Sequence, residues 1–449
     1  MIVTKNPYTQ EKILKYKEFS KKDIDALLNE VHFSFSKWKA YTFYERSLIL
    51  KRISELLKKK KIDLSKLMAE EMGKPLDQGE KEIEKCIWVC KYYAENAESF
   101  LKEITIDTDA KKSWVTYEPL GLILAIMPWN YPFWQVFRFL APTLMAGNVA
   151  VLKHAQSVMG CAEAIEEIVL EASDNLPIFK NLVIKSDKVD EVIKHPLVKA
   201  ITLTGSEKAG KIVAETAGSV LKKLVLELGG NNTFVVFDDA DLKKAAKLGV
   251  QARMQNSGQS CIAAKRFLVH ESIQDEYLKL YEEEMKKMTV GNPFDLPKMG
   301  PMSSADLAEE LEKQVEKSVK SGAKIYSGGK RDEAVYEPTI LINVKPGMPA
   351  FDEELFGPVA SFVTFSTIEE ALKLINNSKY GLGATICTQN EDLAIELGKE
   401  IEDGAVFINE LVKSDPRLPF GGTKNSGYGR ELSKYGIREF TNLKTWYLK

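Results

Sequence analysis

The feature that most constrains this chain is an alternation of short apolar runs with amphipathic stretches, which starts near residue 120 and continues almost to the end. LILAI (122–126), NVAVLK (148–153), NLVIK (181–185), KAITLT (199–204) and KLVLEL (223–228) have the length and side-chain types of buried strands. Segments with helical spacing lie between them, among them CAEAIEEIVLEA (161–172) and SEKAGKIVAETA (206–217). Strands joined by helical crossovers form a parallel sheet covered on both faces, and such sheets bind ligands at the carboxyl ends of their strands. A second run follows Gly229–Gly230, with strands expected at 232–237, 266–270, 338–343, 361–365, 383–388 and 404–409. The glycine pair reads as a hinge between two α/β lobes.

Upstream, residues 21–101 carry apolar positions every three or four residues and are expected to be helical. Residues 103–119 alternate around a turn-like centre at 107–112 and predict a hairpin. The tail GIREFTNLKTWYLK alternates again, so it pairs either with that hairpin or with another subunit.

The bulk numbers narrow the class. A chain of 449 residues is too long for one ordinary core. With 44% hydrophobic and 28% charged residues it belongs with folded proteins rather than disordered ones. A net charge of -2 gives no reason to expect a nucleic-acid or anionic-membrane partner. The N-terminus has no apolar core of a secretory leader, and the apolar stretch 120–128 is too short to span a bilayer. Five cysteines, an odd and sparse set, do not form a disulfide framework, and a cytoplasmic location is expected. Cys86 and Cys90 share a helix face, but the four histidines stand at no metal-ligand spacing, so core packing is expected and no metal.

Several residues could carry chemistry. Cys261, in MQNSGQSCIAAKR, is flanked by Ser257, Gly258 and Ser260, which allow a tight turn and leave the sulfur approachable. Glu227 ends an apolar strand, where burial raises a carboxyl pKa and suits it to take a proton; a satisfied strand-end charge is the other reading. Asn130 sits between Pro128 and Pro132, so its amide is rigidly placed, as an oxyanion donor must be, or as a turn asparagine is. ITLTGSEKAGKIV runs from strand to helix, with Gly205 at the junction, and puts helix N–H groups where a phosphate can dock. Lys153 ends another strand at the same sheet edge. Together these are the parts for oxidising a carbonyl through a covalent adduct.

Seven motifs run in order along the whole chain: PWNYP (128–132), VLKHA (151–155), TGSEKAG (204–210), LELGG (226–230), NSGQSC (256–261), EELFGPV (353–359) and PFGGTKNSGYGRE (419–431). In these the sequence resembles the aldehyde dehydrogenase superfamily, closest to its succinate-semialdehyde dehydrogenase-like members. The resemblance implies Cys261 as nucleophile, Glu227 as general base and Asn130 as oxyanion amide. It implies cofactor contacts from Ile126, Trp129, Lys153, Gln156, Gly205, Ser206, Glu354 and Phe356. It also implies three parts: a Rossmann-like cofactor domain (1–102 and 120–228), an α/β catalytic domain (229–430) and a small β oligomerisation element (103–119 and 431–449). A homodimer or homotetramer is expected.

Cofactor and substrate expectations follow from departures within that resemblance. NAD-preferring relatives often carry Glu three residues after the strand-end lysine; Gln156 stands there and does not repel a 2′-phosphate, so NADP is expected, with NAD usable. Arg138, eight residues after Asn130, matches an arginine facing the substrate tail in succinate-semialdehyde and lactaldehyde dehydrogenases, and Ser414 matches a helping loop position. A second arginine found six residues before the nucleophile in many succinate-semialdehyde dehydrogenases is Gln255, and the place of a redox-switch cysteine is Ala263. The expected reaction is oxidation of a small polar aldehyde, foremost succinate semialdehyde. Broad action on glyceraldehyde, lactaldehyde or short aliphatic aldehydes is the alternative. Glu227 argues against relatives that act on acyl phosphates or acyl-CoA.

Overall fold

The helical spacing of residues 21–101 becomes three helices, Lys21–Ala40, Phe43–Met72 and Leu76–Phe100, in a computed structural model that describes residues 1–449. The first two start on capping boxes: Ser20 and Thr42 each accept the N–H three residues on, and Asp23 and Glu45 bond back to the cap. Gly73, left-handed at φ 77°, stops the second helix, and Pro75 precedes the third. The second and third helices pack along each other, and the third also meets Trp134–Met145. A short hairpin, Ile2–Lys5 with Lys12–Tyr16, precedes them and is absent from the sequence reading, since its alternation spans too few residues to register.

The first sheet runs, in space, Gly427–Tyr428, Lys223–Glu227, Val198–Thr204, Leu122–Met127, Val149–His154, Phe179–Asn181. The last five are parallel and the first is antiparallel. The chain moves outward from Leu122–Met127 to Phe179–Asn181, then returns across the sheet to Val198–Thr204. This makes a topological switch point, and the loops leaving those two central strands open a crevice between them. The strand expected at 181–185 is instead Phe179–Asn181. Leu182 makes the last bond to the neighbouring strand, and Val183 O then accepts from Phe19 N, so the chain bends toward the N-terminal segment.

The second sheet runs Lys324–Ser327, Thr339–Ile342, Val359–Phe365, Arg266–His270, Thr233–Val236, Ala384–Cys387, Val406–Ile408, parallel except for its first strand. All six expected strands are present within two residues at either end. Lys324–Ser327 is an addition: four residues with an irregular register leave little alternation to read. The tail strand Thr441–Leu448 pairs with the chain's own hairpin, from Thr441 opposite Pro119 to Leu448 opposite Lys112, and Trp446 stacks on Trp114 at 5.5 Å. Ile104, Ile106, Leu443 and Tyr447 on this small sheet are exposed.

Gly229–Gly230 joins the lobes, but neither residue needs a left-handed backbone. A Cβ on Gly229 would fall 2.3 Å from a Glu354 carboxylate oxygen, and one on Gly230 2.6 Å from the Cys261 carbonyl. Close approach of the lobes, rather than hinge freedom, demands glycine here. Cys86, Cys90 and Cys161 are sealed in the core of the first lobe and Cys387 in that of the second. No helix is long and apolar enough to cross a membrane.

Candidate active site

Three consecutive left-handed residues, Asn256 (φ 54°), Ser257 (φ 54°) and Gly258 (φ 73°), turn the chain sharply after the helix Leu242–Met254. The two non-glycine residues are held there by hydrogen bonds, which offset the strain. Asn256 N donates to Gln78 Oε1 at 2.9 Å, its Nδ2 donates to Asn130 O at 2.8 Å, and Ser257 Oγ donates to Gly300 O at 2.8 Å. A Cβ on Gly258 would meet Gly357 O at 2.3 Å.

Two buried cations lie beneath this turn. Arg253 donates to the carbonyls of Ala264, Gly258 and Gly357. Lys265 donates to Ser260 O at 2.8 Å and Cys261 O at 2.7 Å, and pairs with Glu354 at 3.1 Å. The carbonyls are therefore drawn onto buried charge.

Cys261 borders two cavities at once. The first, about 720 Å³, is lined by Trp129, Asn130, Gly205, Ser206, Glu354 and Phe356 among others. The second, about 520 Å³, is lined by Lys85, Trp134, Arg138, Ser414 and Phe420 among others. Cys261 alone of the five cysteines is not fully buried. Burial pushes its thiol up to about 11, opposed by the positive charges of Arg138 and Lys265. At neutral pH the resting group is a thiol, so its attack on a carbon needs a base or a nearby positive field.

Asn130 is buried in the loop after Leu122–Met127. Its Nδ2 donates to Gln259 O at 3.1 Å, which leaves the second amide hydrogen free. The loop is clamped from below. Lys74, fully buried, donates to Asn130 O at 2.9 Å and forms an ion pair with Glu82. Glu82 in turn accepts from Phe133 N and Trp134 N, both at 2.9 Å. His154 Nε2 lies 3.0 Å from Pro132 O, and burial pushes this imidazole down to about 4, so it is neutral.

Glu227 is buried at the end of its strand, and neither carboxyl oxygen has a hydrogen-bond partner. Its pKa lies well above the usual carboxylate range, first through burial and then through the neighbouring Glu431, against the pull of Arg138 and Arg430. It lines neither cavity. A Cβ on Gly421 would come within 2.8 Å of its Oε1. The structure thus brings Cys261 and Asn130 to one cleft and sets Glu227 behind it as an unpartnered carboxyl whose burial favours its protonated form.

Of the residues expected at a cofactor, Trp129, Gly205, Ser206, Glu354 and Phe356 line the first cavity. Ser206 caps the helix Glu207–Ser219, its Oγ accepting from Ala209 N at 3.3 Å, so a helix N-terminus opens on the cleft. Trp129 and Phe356 meet edge to face, centroids 5.8 Å apart. Ile126 and Lys153 are register partners at the carboxyl edge of the first sheet, and Gln156 opens the next turn; these three lie outside the cavity lining. Lys153 is buried without an acidic partner, and burial lowers its pKa. A dinucleotide fits this arrangement: a cleft of about 720 Å³, a helix N-terminus for phosphate and an unneutralised lysine along the same sheet edge.

Arg138 and Ser414 both line the second cavity, as expected for residues near a substrate tail. Arg138, however, is ion-paired with Glu431 and donates to Thr204 Oγ1 at 3.1 Å, so much of its charge is already matched. Gln255 and Ala263 line the same cavity. Sequence reasoning missed Lys74, Glu82, Lys85, Arg253, Lys265 and Glu431. On a helix such as Leu76–Phe100 a buried Glu82 and a solvated glutamate look alike in the sequence, and only Glu431 lay within a recognised motif, GYGRE.

The model of the aldehyde dehydrogenase family matches residues 1–446. A probable succinate-semialdehyde dehydrogenase (NADP(+)) of Synechocystis sp. is 43% identical over 451 residues, covering 100% of this chain and 99% of that one. The succinate semialdehyde dehydrogenase (NAD(P)+) Sad of Escherichia coli is 40% identical, covering 98% and 96%. Among solved structures, succinic semialdehyde dehydrogenase of Streptococcus pyogenes in complex with NADP+ superposes with a TM-score of 0.97 at 35% identity, over 100% of both chains.

Proposed function

The chain belongs to the aldehyde dehydrogenase family, and we propose that it oxidises succinate semialdehyde to succinate with NADP as the preferred cofactor and NAD as a usable one. One observation carries this reading: the Cys261 thiol stands in a wall shared by a cleft suited to a dinucleotide and a cavity rich in cations. The similarity to NADP-dependent succinate-semialdehyde dehydrogenases supports the choice of substrate and cofactor.

In this reading the aldehyde enters through the second cavity and meets the sulfur of Cys261. The positive charges of Arg138 and Lys265 favour loss of the thiol proton to water in the cavity; the thiolate then forms the C–S bond, and the carbonyl oxygen becomes an oxyanion. Asn130 Nδ2 holds that charge with its free hydrogen, in a loop fixed by Lys74 and Glu82 before the reaction begins. A bound nicotinamide supplies the hydride acceptor. Trp129 and Phe356 shape the slot for it, and Glu354, Ser206, Gly205, Lys153, Gln156 and Ile126 hold the remainder of the dinucleotide. The thioester left on Cys261 is hydrolysed by water; Glu227, on turning from its buried seat beside Gly421 into the hydrated cleft, gives up its own proton to solvent and as the carboxylate takes the proton of that water. Arg138 and Ser414 face the far end of the substrate.

We further assign residues 1–102 and 120–228 to cofactor binding, 229–430 to catalysis, and 103–119 with 431–449 to assembly as a homodimer or homotetramer in the cytoplasm. The exposed apolar side chains of the small sheet suit that last role. A second reading, broad oxidation of glyceraldehyde, lactaldehyde or short aliphatic aldehydes, is favoured by the pairing of Arg138 with Glu431. Steady-state kinetics with succinate semialdehyde and glyceraldehyde, each with NADP and NAD, decide between them. The proposal expects the highest kcat/KM for succinate semialdehyde with NADP; equal values for the two aldehydes support the broad enzyme.

A further inference from the structure

The second cavity holds one cation away from open solvent that no carboxylate pairs with; Lys247 and Lys298, which also line it without an ion pair, are exposed. Lys85, on the inner side of the helix Leu76–Phe100, forms no ion pair with any carboxylate. Its neighbours are all committed elsewhere. Among the acids lining the same cavity, Asp77 is taken by Lys81 at 3.3 Å, Glu284 by Lys287 at 2.5 Å and Glu82 by Lys74. Arg138 is taken by Glu431.

The Lys85 ammonium lies 4.3 Å from the centre of the Trp134 ring and donates to Ser414 Oγ at 2.7 Å. An ammonium has three hydrogens, so two remain unspent. A largely desolvated cation with no counter-ion is costly unless one arrives. Burial, and then the positive charge of Arg138, push Lys85 down to about 8, while Glu82, Cys86 and Asp415 draw it up; it is charged at neutral pH. The ring face and the hydroxyl fix the direction in which the ammonium offers its free hydrogens.

We infer that Lys85 is the residue that recognises the remote carboxylate of the substrate, with Ser414 holding the ammonium in place. The inference rests on the reading that this cavity admits an aldehyde with a carboxylate at its far end. The carboxylate enters as the missing counter-ion of Lys85, and the aldehyde carbon then faces Cys261 in the same cavity. Because Arg138 is already matched by Glu431, selection for the acid falls chiefly on the lysine.

The test compares succinate semialdehyde with butanal, a neutral aldehyde of equal carbon count, on the intact protein with NADP. In Lys85→Met and Lys85→Gln, kcat/KM for succinate semialdehyde relative to butanal falls about 10- to 100-fold, mainly through KM. Lys85→Arg restores most of the ratio. A ratio within twofold of wild type in both neutral variants overturns the inference. Equal loss of both aldehydes also overturns it, because Lys85 would then be structural. The wild-type ratio reports separately on the substrate reading: a wild type with no preference for succinate semialdehyde defeats that reading, whereas a preference that survives loss of Lys85 defeats only the assignment of Lys85.

Discussion

The two cavities that meet at Cys261 are built from different materials. The first is built around a strand–turn–helix: the loop after Leu122–Met127, Thr204 at the end of its strand, the glycine at 205 and the N-terminus of Glu207–Ser219, closed over by side chains such as Glu354 and Phe356. The second is made of long side chains from segments far apart in sequence; the Lys85–Ser414 bond spans 329 residues. Recognition by backbone N–H groups needs only a local strand–turn–helix and few side chains. Recognition by side-chain charge needs partners that cancel or expose each charge, and here those partners are Glu82, Glu431 and Ser414. The dinucleotide side is therefore generic to the fold, while the aldehyde side carries the selectivity.

This contrast can be broken. The largest effect is expected from Lys74→Met, which leaves Glu82 buried and unpaired: denaturant unfolding should show a loss of about 3–5 kcal/mol. If stability is unchanged, the clamp under the Asn130 loop is not what holds that wall. Next, Asn130→Ala should lower kcat by about 10²- to 10³-fold while NADP affinity, read by fluorescence titration, changes far less. A comparable loss in both would place Asn130 with the cofactor rather than with the oxyanion.

The smallest effect is a slope with pH. Burial raises the Cys261 thiol to about 11, so the reactive thiolate is a minor form at pH 7. Its fraction grows about tenfold per pH unit until the pKa is reached. Alkylation by iodoacetamide without cofactor should follow that slope from pH 7 to 10, at Cys261 alone, because the other four cysteines are buried. A plateau by pH 8 would mean that the cations Arg138 and Lys265 outweigh burial.

The same contrast explains what the sequence disclosed. The parallel sheets, the turn before Cys261 and the Ser206 helix start were legible because local patterning makes them: β-branched runs, a glycine at a left-handed position and a capping serine. The tail strand was left between two partners, since alternation fixes its faces but not what it pairs with. Gly229–Gly230 looked like a hinge because a glycine needed for close approach and one needed for freedom are the same letter. Glu227 was legible as a buried carboxyl but not as one set behind the cleft, which depends on Gly421 almost two hundred residues later. Lys85 is not legible in the sequence: on a helix rich in lysine and glutamate, only the folded neighbours distinguish a cation that is shielded from solvent and still unpaired.

The most direct measurement follows the carbon atoms themselves. A Glu227→Gln protein is mixed with succinate semialdehyde and NADP, quenched in acid within the first turnover, digested and weighed peptide by peptide. A succinyl mass on the peptide that contains Cys261, formed as the nicotinamide absorbance rises, is the result this account expects. Reduced nicotinamide appearing with that peptide unmodified, or with the acyl group on any other residue, would contradict it.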